Sequence, residues 1–292
     1  MRIVVTGRDG QVARSLAERA AGMAGVEIVL LARPELDLAQ PDTVRRAIAA
    51  ARPDLVVSAA AYTAVDRAED EPELAFAINR DGAGAASAAA ADLGVPILHL
   101  STDYVFDGRS DRPYREDDPT APQGVYGASK LAGELAVAAA NPQHFIFRTA
   151  WVYSPFGANF VKTMLRLAAD RDEISVVADQ RGNPTSALDI ADALLHVGAR
   201  LATAGPPEPG LYHLAGTGEA SWSEFARHVL ETSGAAGGPH ARVKDITTAD
   251  YPTKARRPAN SRLSTARLET AFGWRAPEWR ESATATVFRL LG

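Results

Sequence analysis

The sequence predicts an α/β fold, a doubly wound parallel sheet followed by a smaller C-terminal α+β lobe. Five short, almost continuously apolar runs punctuate the first half of the chain, as in strands that are buried on both faces of a sheet. Helical patterns fill the intervals, so strand and helix alternate. After about Ala150 the alternation becomes irregular, and proline, glycine and aromatic residues become more frequent.

The predicted strands follow each other in the order RIVVTG (2–7), EIVLLA (27–32), DLVVSAA (54–60), PILHLS (96–101) and HFIFRTA (144–150). The predicted helices between them contain QVARSLAERAA, DTVRRAIAAA, ELAFAINRDGAGAASAAAADLG and SKLAGELAVAAA. In the second half, Ser221 and Glu224 of SWSE form a capping-box pattern that begins a helix. We expect a nucleotide-binding domain over residues 1–150 and a substrate-binding lobe over residues 151–292, with some segments returning to the sheet.

The composition is typical of a globular enzyme. Of the 292 residues 46% are hydrophobic, and the net charge of −5 comes with scattered basic residues, so we expect neither a nucleic-acid partner nor a membrane partner. The chain has no cysteine and begins with a strand rather than a signal peptide, from which we expect a cytoplasmic protein. The six histidines show no metal-ligand spacing, and His99, inside an apolar run, is interpreted as a satisfied core histidine.

The loop TGRDGQVA at residues 6–13 lies between the first strand and the first helix. Gly7 permits a tight turn, Gly10 lets the backbone approach a pyrophosphate, and the small Ala13 allows the helix to pack on the strand. The spacing is G-x-x-G-x-x-A, and at the first strand of an alternating chain it favours dinucleotide binding, as in a Rossmann domain, over a bare turn. The candidate cofactor-binding residues of this loop are Gly7, Asp9, Gly10, Gln11 and Val12.

The end of the second strand bears on the choice of cofactor. Arg33 stands where an NAD-preferring site usually has an acid, and a guanidinium there can pair with the 2′-phosphate of NADP(H). We therefore expect NADPH, with NADH possible; the alternative is a solvated arginine at a strand end. Asp37 and Leu38 are expected near the adenine.

The segment VYGASKL places Tyr126 and Lys130 four residues apart, on one face of a helix. Such a pair alone arises often by chance. Thr102, however, ends the fourth strand in LSTDYVFDG, beside this helix. A threonine hydroxyl, a tyrosine hydroxyl and a lysine ammonium that converge near a nicotinamide form a carbonyl-reduction site, in which the tyrosine exchanges a proton and the lysine holds the ribose. These three are the candidate catalytic residues.

Taken together, TGRDGQVA, AAAYTAVDRAE at 59–69, STDYVFDG, YGASK and RPANSRLS at 257–264 make the chain resemble the extended short-chain dehydrogenase/reductases. Among these enzymes, the chain is most similar to the family that acts on dTDP-4-dehydrorhamnose, and this similarity extends over nearly the whole chain. The resemblance implies an NADPH-dependent reduction of the C4 keto group of dTDP-4-dehydro-β-L-rhamnose to dTDP-L-rhamnose, with Thr102, Tyr126 and Lys130 as the catalytic triad.

The same resemblance implies binding roles for further residues. On the cofactor side these are Ala59, Ala60, Ala61 and Asn79, and on the substrate side Thr63, Val65, Asp103, Tyr104, Trp151, Gln180, Arg257 and Asn260. For Trp151 the alternative is a core aromatic residue between the two domains. Some relatives dimerise around a divalent metal such as Mg²⁺, but no metal ligands can be assigned here, and a monomer and a homodimer are both compatible with the sequence.

Several alternatives share the scaffold. A sugar-nucleotide dehydratase typically has Asp-Glu after the threonine of the fourth strand, whereas Asp103 and Tyr104 stand here, which argues against dehydration. An epimerase needs access to both sides of the sugar, which the sequence does not test. Reduction of another dTDP-4-keto-6-deoxysugar, of the dihydrostreptose type, stays open. A non-catalytic NADP-binding protein, similar to the regulatory subunit of methionine adenosyltransferase, would have no need to keep the triad.

Overall fold

A six-stranded parallel sheet forms the centre of the computed structural model, which describes residues 1–203 and 207–292. The strands are β1 (Arg2–Thr6), β2 (Glu27–Leu31), β3 (Leu55–Ser58), β4 (Ile97–Thr102), β5 (His144–Thr149), β6 (Val152–Tyr153), β7 (Glu173–Val177), β8 (Arg181–Gly182), β9 (Thr185–Ser186), β10 (Gly210–His213), β11 (Ala220–Ser221) and β12 (Arg242–Ile246). The central sheet has the order β10-β5-β4-β3-β1-β2. All five predicted strands are therefore present, and the predicted fold class is confirmed.

Helices cover both faces of this sheet. The α-helices are α1 (Gln11–Ala20), α2 (Pro41–Ala51), α3 (Val65–Ala68), α4 (Pro72–Phe76), α5 (Ala83–Asp92), α6 (Val125–Ala140), α7 (Phe160–Ala168), α8 (Ala187–Leu201), α9 (Trp222–Ala235), α10 (Ala266–Phe272) and α11 (Trp279–Leu291). Along β1, Ile3 and Val5 pack with α1, α8 and α10, whereas Val4 packs with α2, α5 and α6. Alternate side chains of one strand thus enter two separate cores, as a doubly wound sheet requires.

The second half of the chain builds a core of its own and also contributes to the sheet. Helices α7, α9 and α11 pack around Phe225 and Trp279, beside the parallel pair of β7 and β12. Ser221 accepts a hydrogen bond from the Glu224 amide while Glu224 accepts one from the Ser221 amide, so the predicted capping box is confirmed. Strand β10 pairs in parallel with β5 at the edge of the central sheet.

One predicted helix is divided. The segment ELAFAINRDGAGAASAAAADLG forms α4, then a π-helical turn over Ala77–Gly82, then α5. The wider turn contains Asn79, whose buried side chain is hydrogen-bonded to Tyr62 and Ser129. In the described parts of the chain no helix is both long and apolar enough to cross a membrane.

Candidate active site

A cleft of about 620 Å³ lies at the carboxyl ends of the parallel strands. Ligands of doubly wound sheets bind at this edge, and the volume lies within the range of small-molecule sites. Predicted cofactor-binding, substrate-binding and catalytic residues line this cleft. They are Gly7, Asp9, Gly10, Gln11, Val12, Arg33, Asp37, Leu38, Ala59, Ala60, Ala61, Thr63, Tyr126 and Lys130.

The glycine loop is shaped for a phosphate group. Gly7 has φ of +100°, a conformation that L side chains rarely adopt, and a Cβ there would lie 3.3 Å from the Ala60 methyl. Gly10 is the N-cap of α1 and supplies no side chain to bond the amides of the first turn. These amides can therefore bind an anion at the positive end of the helix. Such a cradle fits a dinucleotide pyrophosphate.

Asn79 does not line the cleft but links two walls of it. Its Oδ1 accepts a hydrogen bond from the Tyr62 amide at 2.8 Å, and its Nδ2 donates to the Tyr62 carbonyl oxygen and to Ser129 Oγ. Across the loop, Thr6 Oγ1 accepts from the Ala59 and Ala60 amides, both at 3.1 Å. Loop 59–62 is thus fixed both to β1 and to α6.

The small residues of YGASK bring α6 close to the turn after β4. A Cβ at Gly127 would lie 3.0 Å from the Tyr104 carbonyl carbon, and its oxygen is closer still. Ser129 donates to the Tyr126 carbonyl oxygen and accepts from Asn79. The Tyr126 ring meets the Tyr104 ring edge to face, with centroids 5.5 Å apart. Gly127 therefore permits the close approach that sets Tyr126 beside Thr102.

Lys130 lies one turn further along α6 and is only 3% exposed. Its Nζ donates to the Leu100 carbonyl oxygen at 2.6 Å and lies 3.4 Å from His99 Nε2. Burial lowers the pKa of Lys130 to about 8, although the Glu134 carboxylate opposes the shift. The ammonium therefore loses its proton within a few pH units of neutrality.

Burial also raises the pKa of Tyr126, although the Thr102 hydroxyl partly offsets this effect. Thr102 Oγ1 donates to Asp103 Oδ1 at 3.0 Å and accepts from the Tyr104 amide. Burial raises the pKa of Asp103 to about 6, against the effects of the Ser261 and Thr102 hydroxyls. Because burial raises the pKa of Tyr126, its hydroxyl carries at neutral pH a proton that it can donate.

Some of the substrate-side candidates gather beside Tyr104. Arg257 donates to Tyr104 Oη at 3.3 Å and pairs with Asp66 at 3.0 Å, on helix α3 that Val65 begins.

Trp151, at φ of +49°, stacks on Trp222 with ring centroids 3.6 Å apart. Trp222 supports this ring from a helix that no sequence motif had connected with the site.

Gln180 and Asn260 are tied to other parts of the protein. Gln180 Nε2 donates to Thr248 Oγ1 at 3.0 Å. Asn260 Nδ2 donates to the carbonyl oxygens of Ser110 and Arg112, and its Oδ1 accepts from Arg262. Neither Gln180 nor Asn260 lines the cleft.

An ion pair beneath the site was missed by the sequence reasoning. Glu134 and Arg148 form a bidentate pair at 2.7 and 2.9 Å and are nearly fully buried. Ser101, which lines the cleft, donates to Glu134 at 2.5 Å. The one available signal was spacing, since Glu134 follows Lys130 by the same four residues that separate Lys130 from Tyr126.

Among residues 1–203 and 207–292, no three His, Cys, Asp or Glu side chains are grouped to hold a metal ion.

A doubly wound sheet with a glycine loop after β1 and a tyrosine and lysine one turn apart on α6 defines a short-chain dehydrogenase/reductase. The model of one family, described as the RmlD substrate binding domain, matches residues 1–291. This chain belongs to that family.

Named relatives agree over the full length. A dTDP-4-dehydrorhamnose reductase of Sinorhizobium fredii is 54% identical over 292 residues, which cover 100% of this chain and 98% of the relative. The crystal structure of a dTDP-4-dehydrorhamnose reductase from Clostridium acetobutylicum superposes with a TM-score of 0.93, at 37% identity and 100% coverage of both chains. The enzyme of that name from Bacillus anthracis, solved in complex with NADP, gives 0.91 at 34% identity and 99% coverage of both.

Proposed function

We propose that this chain reduces the C4 keto group of dTDP-4-dehydro-β-L-rhamnose to dTDP-L-rhamnose. Bound NADPH supplies the hydride to C4. The observation that carries the proposal is the meeting of Tyr126, Lys130 and the end of β4 at one cleft, in a chain 54% identical along its length to a protein named for this activity.

Tyr126 acts as the general acid. Its raised pKa keeps the phenol protonated at neutral pH, so the proton is available for the C4 oxygen as negative charge develops there. Hydride to carbon and this proton to oxygen convert the ketone to an alcohol and leave a phenolate, which takes its proton back from solvent. The Lys130 ammonium favours that phenolate by its charge and donates to the ribose hydroxyls of the cofactor.

Thr102 orients the keto oxygen. A hydroxyl has one proton to donate, and in this structure it is directed to Asp103 Oδ1. To donate to the substrate the Thr102 hydroxyl must turn away from Asp103. The sugar is then expected between Thr102, Tyr104, Val65 and Trp151, with Arg257 near the diphosphate, where its guanidinium can pair with phosphate oxygens.

Arg33 supports NADPH as the preferred cofactor, because it is exposed at the rim of the cleft, where the 2′-phosphate is expected. No ligands for Mg²⁺ are assigned, a monomer and a homodimer both stay open, and the cytoplasmic location stays a prediction. We also propose the division into a nucleotide-binding domain over 1–150 and a substrate-binding lobe over 151–292, with some segments of the second returning to the sheet of the first.

The test follows oxidation of NADPH by absorbance with dTDP-4-dehydro-β-L-rhamnose as substrate, in parallel with NADH. Wild type should turn over, and Tyr126→Phe should lower kcat by about 10²–10⁴-fold without loss of fold. Tyr153→Phe is the matched control, since this tyrosine is buried in the second core and its hydroxyl makes one long bond, of 3.3 Å, to the Trp279 carbonyl oxygen. Turnover only with another dTDP-4-keto-6-deoxysugar would replace the proposed substrate.

A further inference from the structure

His99 contacts the candidate catalytic lysine from inside the sheet. It lies on β4 and is 1% exposed. Its Nε2 is 3.4 Å from Lys130 Nζ, and its Nδ1 is 3.0 Å from Oγ of Ser58, its register partner on β3. The ring therefore bridges a buried serine and the lysine that faces the cleft.

The chemistry of these groups fixes the tautomer of the ring. An ammonium can only donate hydrogen bonds, so His99 Nε2 must be the acceptor in its contact with Lys130. The ring proton then resides on Nδ1 and is donated to Ser58 Oγ. Burial and the Lys130 charge lower the pKa of His99 well below its ordinary value, which keeps the ring neutral and the acceptor free.

The other charged groups near Lys130 leave His99 as its polar side-chain neighbour on the sheet. Glu134, on α6 itself, is occupied by Arg148 of β5 and by Ser101. Asp103 and Tyr104 influence Tyr126, which is bonded to the Thr102 hydroxyl, and the Arg80 and Asp81 side chains of the π-helical turn pair with each other at the surface. Of the three N–H groups of the ammonium, one goes to the Leu100 carbonyl oxygen and one is directed to His99.

We propose that His99 is a positioning residue for Lys130: Nε2 accepts from the ammonium, Ser58 holds the ring in the accepting tautomer, and the remaining N–H is left to reach the cofactor ribose. The inference rests on the proposed function, in which Lys130 binds that ribose. In this arrangement a neutral histidine in the core sets both the position of the ammonium and its preference for the charged form.

The test measures the Kd of NADPH as a function of pH by fluorescence, with no sugar present. His99→Leu should weaken NADPH binding about tenfold at neutral pH, the effect of one lost charge-assisted hydrogen bond. It should also move the loss of affinity at alkaline pH to lower pH, because an ammonium without its acceptor gives up its proton more readily. His99→Gln keeps an acceptor and should restore part of both effects, and Ser58→Ala should produce a smaller shift in the same direction.

Leu98→Ala is the control for packing, since Leu98 is buried next to His99 on β4 and belongs to the apolar core. It should lower the melting temperature but leave the pH dependence of NADPH binding unchanged. The proposal is overturned if His99→Leu binds NADPH with the wild-type pH dependence, or if Gln is no better than Leu. The binding measurement needs no sugar. If the protein binds NADPH but reduces no dTDP-4-keto sugar, the proposed function is refuted, and the role of His99 in NADPH binding can still be tested.

Discussion

Replacing Gly127 by alanine should remove most of the reductase activity while the chain stays folded. A Cβ there would lie 3.0 Å from the Tyr104 carbonyl carbon, 3.1 Å from Pro122 Cβ and well inside contact distance of the Tyr104 oxygen. Ordinary contact needs about 3.5 Å, so α6 and the turn after β4 must separate by about 1 Å. The Tyr104 amide is bonded to Thr102 within the turn, and the Tyr126 carbonyl oxygen is bonded to Ser129 within α6, so a separation of the two segments moves Tyr126 away from Thr102.

In the proposed mechanism, this separation changes the distance between Tyr126 and the keto oxygen that Thr102 would orient. A misplacement of about 1 Å at a reacting centre costs on the order of 10²-fold in rate, or about 2.7 kcal/mol. Alanine is also more favourable in a helix than glycine by about 1 kcal/mol, and this gain partly offsets the loss of folding stability that the steric clash causes. We expect kcat to fall about 100-fold with a smaller change in the Kd of NADPH, measured by steady-state kinetics and by fluorescence titration.

Gly84→Ala is the matched control for this experiment. It adds the same methyl to another helical glycine, but the nearest atom is the Ala136 methyl at 3.2 Å, which needs a shift of only a few tenths of an ångström. Its kcat should stay close to wild type. A folded Gly127→Ala enzyme with kcat within twofold of wild type would refute the view that close packing of α6 sets the catalytic geometry.

Three further outcomes are expected. Glu134→Gln leaves the buried Arg148 without its carboxylate, which should cost about 3–5 kcal/mol of unfolding free energy and roughly 10 °C in melting temperature; an unchanged melt would show that the pair is dispensable. Because the proposed role of Lys130 needs the positive charge of its ammonium and its pKa is about 8, kcat/KM should decline as the pH rises through this value with the slope of one deprotonation, and a profile flat well above it would contradict this role. Arg33→Ala should raise KM for NADPH by about tenfold or more and leave KM for NADH unchanged, whereas equal losses with both cofactors would argue against a contact with the 2′-phosphate.

The sequence was sufficient for the sheet and for the edge that carries the site. Strands buried on both faces produce apolar runs that can be recognised locally, and the loop with Gly7 follows directly from the first run. Because the carboxyl ends of parallel strands meet at one edge, Thr102 and the helix with Tyr126 and Lys130 were expected together, and the structure brings them together.

What the sequence could not give depends on which strand lies beside which. The contact of His99 with Lys130 requires the exact pairing of β3 with β4 and the position of α6, so an apolar run with one histidine predicted only a core residue. The pair Glu134 and Arg148 joins α6 to β5 in the same way. The amide of Asn260 was expected at the substrate, but its bonds to Ser110 and Arg112 can be seen only once distant loops are in place.

Strand β10 and helix α8 come from the second half of the chain yet complete the sheet of the first. Ile190 and Leu194 of α8 fill the same core as Leu16 of α1, and β10 covers the edge of β5. A fragment ending at residue 150 would expose that face and leave an open strand edge, a template for aggregation. If the second half were exchanged between enzymes that act on different sugars, about half of the core between the sheet and helices α1, α8 and α10 would therefore be exchanged as well. In this architecture a new sugar preference is reached more readily by replacing individual side chains at the cleft than by recombining whole segments.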